Sequence, residues 1–263
     1  DQWLNISRLD PGYLAIVLLA SKFDTGIIGV NLICGLITMT CLVSFAKKQP
    51  LPWVTIVAAI PFFLIGISMG TVRQGLALSI VLVALTHIDK NIIRYSILIF
   101  IAALFHKSAL LMLGLAIFKS KNIYFFILLI SFFLLLGVIG SQLSSINILI
   151  LAYLVDPDYQ SDGALIRVLV SLLPFFGYLL FYKQINKAYP DYWAYLWIGI
   201  GAVCLLFLSS SYSTLVDRVA YYTIPLQLAL WPRIIAVQKN QVLKAYFTIS
   251  FIFGYLLMLY VWL

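Results

Sequence analysis

The sequence predicts an all-α, polytopic integral membrane protein with about ten transmembrane or re-entrant helices. First, 63% of the 263 residues are hydrophobic and the mean hydropathy is +1.07, values that a water-soluble domain could not hide from water. Second, apolar runs recur along the whole chain, and short charged, glycine-containing or proline-containing stretches separate them. The whole chain, 1–263, is therefore predicted to be a single membrane domain.

The predicted spans follow from these apolar runs in chain order. Residues 11–23 are apolar but too short to cross a bilayer, so we predict an interfacial helix there, within an external segment 1–25. Because the chain opens at Asp1 and not at a methionine, we expect an N-terminal piece to precede it. Ten candidate spans follow: 26–46, 52–70, 72–88, 92–106, 108–118, 122–143, 165–183, 192–210, 215–232 and 245–262.

Lysine and arginine set the predicted orientation of these spans. If successive predicted spans cross the membrane in alternating directions, eleven of the 17 basic residues lie at one end of the bundle. The other six lie at the opposite end with seven of the nine acidic residues. Cytoplasmic connectors carry the excess of Lys and Arg, so the first end is predicted to be cytoplasmic. Segment 144–164 is then the main external loop. Basic residues in short connectors also argue against nucleic-acid binding.

Residues 92–118 allow two interpretations. They form either one tilted helix of 27 residues or a short, recessed pair of helices that returns to its own side. We favour the pair, because a single helix would separate Lys119 from Lys90 and reverse every later connector. His106 and Lys107 then lie at a turn below the outer surface, a geometry that membranes tolerate where protein or water surrounds the backbone.

An arginine stands at a predicted helix start in the stretch SMGTVRQGLAL, residues 68–78. Thr71 and Gln74 have the spacing of a capping box, so Arg73 falls in the first turn. The positive end of the helix dipole makes a cation there unfavourable unless an anion is bound. Such a helix start is suited to a lipid-linked phosphate or pyrophosphate.

The same arrangement recurs at other predicted helix starts on the external side. Thr214 and Asp217 have the capping-box spacing, and Arg218 follows them. Arg167 and Lys107 also lie close to the start of an apolar run. We therefore expect these cations to converge on one anion. The alternative for each is that its side chain extends to the lipid headgroups.

Other candidate residues have two interpretations each. His106 is a candidate proton acceptor, since imidazole titrates near neutrality, or a structural residue at the break. Asp217 is an alternative base or a helix cap. Tyr221 and Tyr222 lie beside these charges and are candidates for substrate contact. Asp156 and Asp158 are spaced to hold a divalent cation, but we favour solvated acids of a turn-rich loop. We therefore expect no cofactor and leave a divalent metal as the alternative.

Four motifs carry a resemblance to a known family, in this order and with apolar spans between them. The motifs are DPGY (10–13), MGTVRQGLALSIVLVAL (69–85), FHKSALLML (105–113) and DRVAYY (217–222). With these motifs the chain resembles the EpsG-like branch of the Wzy-type polysaccharide repeat-unit polymerases. The resemblance covers most of the chain, and such proteins usually carry one or more further spans before the DPGY-like segment.

The resemblance implies a membrane glycosyltransferase at the external face of the bacterial cytoplasmic membrane. It would join polyprenyl-pyrophosphate-linked oligosaccharide units into a capsule, exopolysaccharide or O-antigen, with a chain-length regulator and a flippase as further partners. The resemblance implies that the carrier would be undecaprenyl pyrophosphate. Arg73 and Arg218, with Arg167, would hold pyrophosphate, and His106 would deprotonate the acceptor. Gln74 and Lys107 would orient the substrate.

Three other activities compete with this interpretation. An O-antigen-type ligase would use the same donor site and a different acceptor. A lipid-linked oligosaccharide transporter or flippase would line a path through the bilayer with polar groups, whereas the mid-span residues here are mainly Leu, Ile, Phe and Val. A membrane acyltransferase would need a cytoplasmic route for its acyl donor.

Overall fold

The computed structural model describes residues 10–119, 163–209 and 213–262, and every regular element in these ranges is a helix. The predicted span 122–143, Asp156, Asp158 and almost all of the predicted loop 144–164 lie outside the described residues. The α-helices are α1 (Pro11–Lys22), α2 (Gly26–Ala46), α3 (Pro52–Ala59), α4 (Val72–Leu85), α5 (Ile92–Ala103), α6 (Gly114–Lys119), α7 (Ala164–Leu180), α8 (Tyr182–Ala188), α9 (Tyr192–Leu208), α10 (Ser213–Ala220), α11 (Ile224–Ala236) and α12 (Gln241–Trp262).

The predicted count of about ten spans is not confirmed. Among the described residues, three helices are long and apolar enough to cross a membrane, or up to four if the bent pair α7 and α8 forms one span. The three are α2, α3 with its continuation to Met69, and α12. Helices such as α4 and α5 are apolar but shorter, since polar and glycine-containing breaks interrupt them.

The helix α3 changes its pitch part-way along the span. From Ile60 to Met69 the backbone forms a π-helix, which the sequence analysis did not predict. Pro61 stands at the change and has no amide N–H to continue the α-helical hydrogen bonding. The π-helix, which is wider than an α-helix, carries the chain to Gly70 and the start of α4.

Helix α4 is the central helix of the N-terminal half. Every residue from Gln74 to Leu82 is buried, as expected for a helix that is apolar on all sides and surrounded by other helices. It packs against α2, α5 and the π-helix. The approach to the π-helix is closest at Gly75, where a Cβ would lie 2.7 Å from the Cα of Ser68.

Residues 92–119 form the broken pair that the sequence analysis favoured. Helix α5 ends at Ala103, and a 3-10 helix from Lys107 to Leu113 leads into α6. Lys119 at the end of α6 forms an ion pair with Asp89, which directly precedes α5. The two ends of the pair therefore meet, whereas one helix of 27 residues would hold them about 40 Å apart. The prediction of a hairpin is confirmed, and the single tilted helix is wrong.

The C-terminal half packs α7 against α9 and α11, and α11 against α3. The predicted span 215–232 is helical throughout but begins at Ser213 and changes pitch. A 3-10 turn from Tyr221 to Thr223 joins α10 to α11, because Pro225 in the first turn of α11 cannot donate a hydrogen bond. Asp217 and Arg218 consequently lie in the second turn of α10, deeper than the predicted capping box would place them.

A buried arginine holds together the end of the bundle where Asp89 lies. Arg233, near the end of α11, is 3% exposed. Its guanidinium donates to both carboxylate oxygens of Asp191 at 2.9 and 2.7 Å and to Gln49 Oε1 at 3.2 Å. The rings of Tyr189 and Tyr195 lie 4.6 and 4.5 Å from its Cζ atom. These contacts join the α2–α3, α8–α9 and α11 segments, a role that the sequence analysis did not assign to Arg233.

Candidate functional site

A polar cavity of about 360 Å³ lies at the other end of the bundle. It opens where α1 and α4 begin, where α5 gives way to the 3-10 helix, and in the second turn of α10. Its lining includes residues predicted independently from separate parts of the sequence. The lining residues are Tyr13, Gly70, Thr71, Val72, Arg73, Gln74, His106 and Arg218.

Arg73 lies in the first turn of α4, as predicted, because the extended backbone of Thr71 begins the helix. Its Nη1 is 3.4 Å from Asp10 Oδ2, and its Cζ is 5.8 Å from the centre of the Tyr13 ring. The side chain is 43% exposed. The guanidinium is thus held by one long ion pair and still faces the cavity, where it is available to a bound anion.

The predicted capping box of Thr71 and Gln74 does not form. Thr71 Oγ1 donates backward to Ile67 O at 3.2 Å, the carbonyl four residues before it. Gln74 instead donates from Nε2 to Arg218 O at 2.8 Å. Its buried Oε1 atom has no hydrogen-bond partner in the part of the chain that the structure describes. Gln74 therefore fixes α4 to α10 and leaves one acceptor beside the cavity.

His106 lies at the break of the hairpin, immediately before the 3-10 helix. Its Nδ1 atom is 3.8 Å from Asp10 Oδ2, and the side chain is 27% exposed. Within the described ranges Nδ1 has no hydrogen bond. The imidazole is therefore directed by a carboxylate on one side and lines the cavity that Arg73 and Arg218 also line.

Asp10 is the site residue that the sequence analysis missed. Its carboxylate lies beside both Arg73 and His106, and its side chain is only 9% exposed. The residue precedes α1 but makes no side-chain cap hydrogen bond, so its contacts point to the cavity and not to its own helix. The signal was present in the DPGY motif, but the partners are 63 and 96 positions away and no local pattern connects them.

The rest of the DPGY motif explains how Asp10 reaches the cavity. Pro11 begins α1 with its preset backbone angle. The N–H of Gly12 donates to Leu104 O at 2.8 Å, which joins α1 to the recessed turn. A Cβ on Gly12 would lie 3.0 Å from the same oxygen, so this close approach requires glycine. Tyr13 then faces Arg73.

Arg167 lies apart from this cavity. It forms an ion pair with Asp217, and its Cζ is 5.2 Å from the centre of the Tyr221 ring. The hydroxyl of Tyr221 also donates to Asp217 Oδ2 at 3.4 Å. Arg167 lines a separate, mainly apolar cavity of about 430 Å³ that includes Phe62. The structure thus brings Arg73 and Arg218 together and places Arg167 on the other side of α10, paired with Asp217.

The two remaining predicted residues also have defined positions. Tyr222 is 3% exposed, and its hydroxyl forms a hydrogen bond of 2.8 Å with Ser108 Oγ. It joins the 3-10 turn after α10 to the recessed hairpin, behind the cavity. Lys107 is exposed at the start of its 3-10 helix and is not among the lining residues of the cavity.

The chemistry of the cavity follows from its charges. Two arginines and the start of α4 line the cavity, and among the described residues the carboxylate of Asp10 lies beside Arg73, so the cavity attracts anions. His106 adds a neutral or cationic imidazole within the same space. Across residues 10–119, 163–209 and 213–262, no three His, Cys, Asp or Glu side chains lie close enough together to bind a metal ion.

Comparison with known proteins identifies the family of this chain. The model of the EpsG family matches residues 2–263, essentially the whole chain. The chain belongs to the EpsG family. EpsG is a Wzy-like polymerase family, so the protein is a membrane protein of polysaccharide biosynthesis. No curated protein and no solved structure matches the chain.

All four motifs of the family resemblance meet at the cavity of this EpsG-family chain. The first supplies Asp10 and Tyr13, the second supplies Arg73 and Gln74, and the third supplies His106. The fourth supplies Arg218. Four segments that are far apart in the sequence thus come together at one polar cavity in an otherwise apolar helix bundle.

Proposed function

We propose that the protein polymerises polyprenyl-pyrophosphate-linked oligosaccharide repeat units at the external face of the bacterial cytoplasmic membrane. The observation that carries this proposal is the convergence of Arg73, Gln74, His106 and Arg218 on one cavity. The excess of basic residues at the opposite end of the bundle supports the external location of the cavity. The product would be a capsule, an exopolysaccharide or an O-antigen.

In this proposal Arg73 and Arg218 bind the pyrophosphate of the donor lipid. Guanidinium groups grip phosphate oxygens with paired hydrogen bonds, and the start of α4 adds backbone N–H groups. Negative charge on the pyrophosphate grows as the glycosidic carbon separates from it. Because the arginines are already in place, they stabilise this charge in the transition state more than in the ground state.

His106 accepts the proton of the attacking hydroxyl. The acceptor oxygen bonds to the anomeric carbon of the donor sugar, the bond from that carbon to pyrophosphate breaks, and the proton passes to the imidazole. Polyprenyl pyrophosphate leaves with the bonding electrons. Asp10, 3.8 Å from Nδ1, orients the ring. We prefer His106 to Asp217 as the base because Arg167 already pairs with Asp217.

The other candidate residues shape the site around this reaction. The free acceptor atom Gln74 Oε1 is suited to a sugar hydroxyl. Tyr222 supports the recessed turn through Ser108. Arg167, Asp217 and Tyr221 form a paired group that sets the position of α10 and so of Arg218. Lys107, exposed beside the recessed turn, adds positive charge that attracts the anionic carrier.

A reconstituted elongation assay tests the proposal. Purified protein in liposomes receives a defined polyprenyl-pyrophosphate oligosaccharide, and the products are separated by length. We expect Arg73→Ala and Arg218→Ala each to lower elongation by about 100-fold or more, since each removes charge stabilisation from the transition state. Arg94→Ala is the matched control, because Arg94 is an exposed arginine at the opposite end of the bundle.

Two results would contradict the proposal. Normal chain lengths in both arginine variants would contradict the proposed pyrophosphate site. A single transfer to a different acceptor, without elongation, would indicate a ligase. A reaction that requires added Mg²⁺ or Mn²⁺ and stops in EDTA would favour the alternative of a divalent metal bound by Asp156 and Asp158. We expect elongation to continue in EDTA, because the arginines occupy the position where a metal would otherwise offset the pyrophosphate charge.

A further inference from the structure

A second cavity, of about 380 Å³, forms a lateral groove between α2 and the π-helix. Its walls are mainly small or flexible side chains, and the polar atoms that it contains are few. We refer to it as the lateral groove. Its lining residues are Asn31, Cys34, Gly35, Thr38, Met39, Leu64, Ser68, Met69 and Val72.

The lateral groove adjoins the Arg73 cavity. Val72 lines both, and the four residues from Met69 to Val72 run from the groove to the cavity along the backbone. On α2 the groove extends from Asn31 to Met39, a distance of about 12 Å along the helix axis. Val72, which packs in one apolar cluster with Cys34 and Tyr13, forms the boundary that a chain leading from Arg73 into the groove would pass.

The walls of the lateral groove are suited to a hydrocarbon chain. A Cβ on Gly35 would meet no atom within 4 Å, so the groove is open at this position. Ser68 Oγ donates to Phe63 O at 2.9 Å, which satisfies the hydroxyl within its own helix. Met39 and Met69 are 43% and 75% exposed, and flexible thioether side chains adapt to branched, irregular chains.

We propose that the lateral groove binds the isoprenoid chain of the lipid carrier whose pyrophosphate lies beside Arg73. The inference rests on the proposed function, because it takes the charged end of the ligand from the Arg73 cavity. A lipid bound there must direct its chain into the bilayer, and the groove is the adjoining apolar path. The Arg167 cavity is the competing path, but it shares no lining residue with the Arg73 cavity.

Photo-crosslinking tests the occupant without requiring turnover. The full chain is reconstituted in liposomes with a polyprenyl phosphate that carries a diazirine close to its phosphate, and the modified peptides are identified by mass spectrometry. We expect labels at the lining residues of the groove, and we expect excess unlabelled polyprenyl pyrophosphate to reduce them at least fivefold. These residues are Asn31, Cys34, Gly35, Thr38, Met39, Leu64, Ser68 and Met69. Leu32 and Leu36 provide the internal control, because they are 63% and 61% exposed on α2 but do not line the groove.

A diacyl phospholipid with the same diazirine distinguishes the carrier from bulk lipid. We expect it to label Leu32 and Leu36 as readily as the groove and to be insensitive to competition. Equal, competition-insensitive labelling by both probes would overturn the proposal. Labelling by the polyprenyl probe at Ile166 and Leu257 would overturn it in favour of the Arg167 cavity, which these residues line.

A filled groove provides an independent kinetic test. In Gly35→Phe the ring occupies the open space without a clash at the backbone. We expect the KM of a full-length polyprenyl-pyrophosphate substrate to rise about tenfold, since the variant removes apolar contacts made equally in ground and transition states. A substrate with two isoprene units should show less than a twofold change. Leu36→Phe, on the lipid-facing side of the same helix, is the matched control.

The two proposals fail in different ways. Competed labelling of the groove in a protein that never elongates glycans would support the carrier site and contradict the polymerase. Elongation with the same change in KM for long and short carriers in Gly35→Phe would support the polymerase and contradict the lateral groove. Loss of folded protein in Gly35→Phe alone does not affect the labelling result, which uses the unaltered chain.

Discussion

At the scale of single residues, Asp10 has the most consequential set of contacts in the cavity. Its carboxylate lies 3.4 Å from Arg73 Nη1 and 3.8 Å from His106 Nδ1. Both distances exceed those of strong charge-assisted hydrogen bonds. The contacts direct the two side chains and leave them free to turn toward a substrate. Asp10 therefore acts through its neighbours, as a positioning residue.

Asp10→Asn should lower kcat by at least about tenfold, because His106 loses the carboxylate that orients its ring. KM for the lipid-linked donor should not rise, since Arg73 loses a competing anion. The measurement is steady-state elongation at several donor concentrations. Asp10→Glu should recover part of kcat, whereas a purely structural role would predict equal changes in kcat and protein yield.

Asp24→Asn is the matched control for this prediction. Asp24 is exposed and has a φ of 51°, a left-handed conformation that asparagine tolerates. It also lies close to Asp10 in sequence, so expression and insertion should be equally affected. Equal activity losses in the two variants would contradict a specific role for Asp10.

Sequence reasoning could identify single residues only where the signal was local. The position of Arg73 in the first turn of α4 was predicted from Gly70 and Thr71, which precede the helix. The break at His106 was predicted from the charged connectors and the lengths of the apolar runs. The pairing of Asp10 with Arg73 and of Arg167 with Asp217 depends on how separate helices pack. Nothing in the spacing of these residues encodes that packing.

At the scale of elements, the contact between α4 and the π-helix sets the position of Arg73. The two helices approach most closely at Gly75 and Ser68, half a turn below Arg73 in sequence. The sequence analysis could not foresee the π-helix, because the hydrophobic pattern of residues 52–70 is equally compatible with a straight α-helix. Only the position of Pro61 indicated where an α-helix would be interrupted.

Gly75→Ala should displace α4 from the π-helix, because its Cβ would lie 2.7 Å from the Cα of Ser68. We expect a loss of roughly 1 to 3 kcal/mol of stability from overpacking, together with reduced elongation. Thermal unfolding of the detergent-solubilised protein measures the first effect. Gly201→Ala in α9 is the control, since its Cβ would meet nothing within 4 Å. An unchanged melting temperature in Gly75→Ala would show that the two helices can separate freely.

At the scale of the whole molecule, the two ends of the bundle are held very differently. One end contains the buried Arg233 with two short hydrogen bonds to Asp191, a third to Gln49 and two tyrosine rings. The other end contains the Arg73 cavity with its long ion pairs. The distribution of charged connectors predicted which residues share an end, but it gave no indication that Arg233 is buried.

Asp191→Ala should destabilise the protein strongly, because it leaves the charge of Arg233 buried without its partner. The expected loss is about 3 to 5 kcal/mol. Asp89→Ala removes the more exposed ion pair with Lys119 at the same end and should cost less than about 1 kcal/mol. Thermal unfolding in one detergent compares the two variants. Similar melting temperatures in both variants would contradict a stabilising role for the buried ion pair between Arg233 and Asp191.

The 3-10 and π segments have a consequence for how the protein handles a bulky ligand. Both lie next to the Arg73 cavity, and both replace the regular α-helical ladder with weaker hydrogen-bond geometry. In the proposed reaction, glycan and carrier would enter and leave past these two segments, at the end of the bundle opposite the buried Arg233.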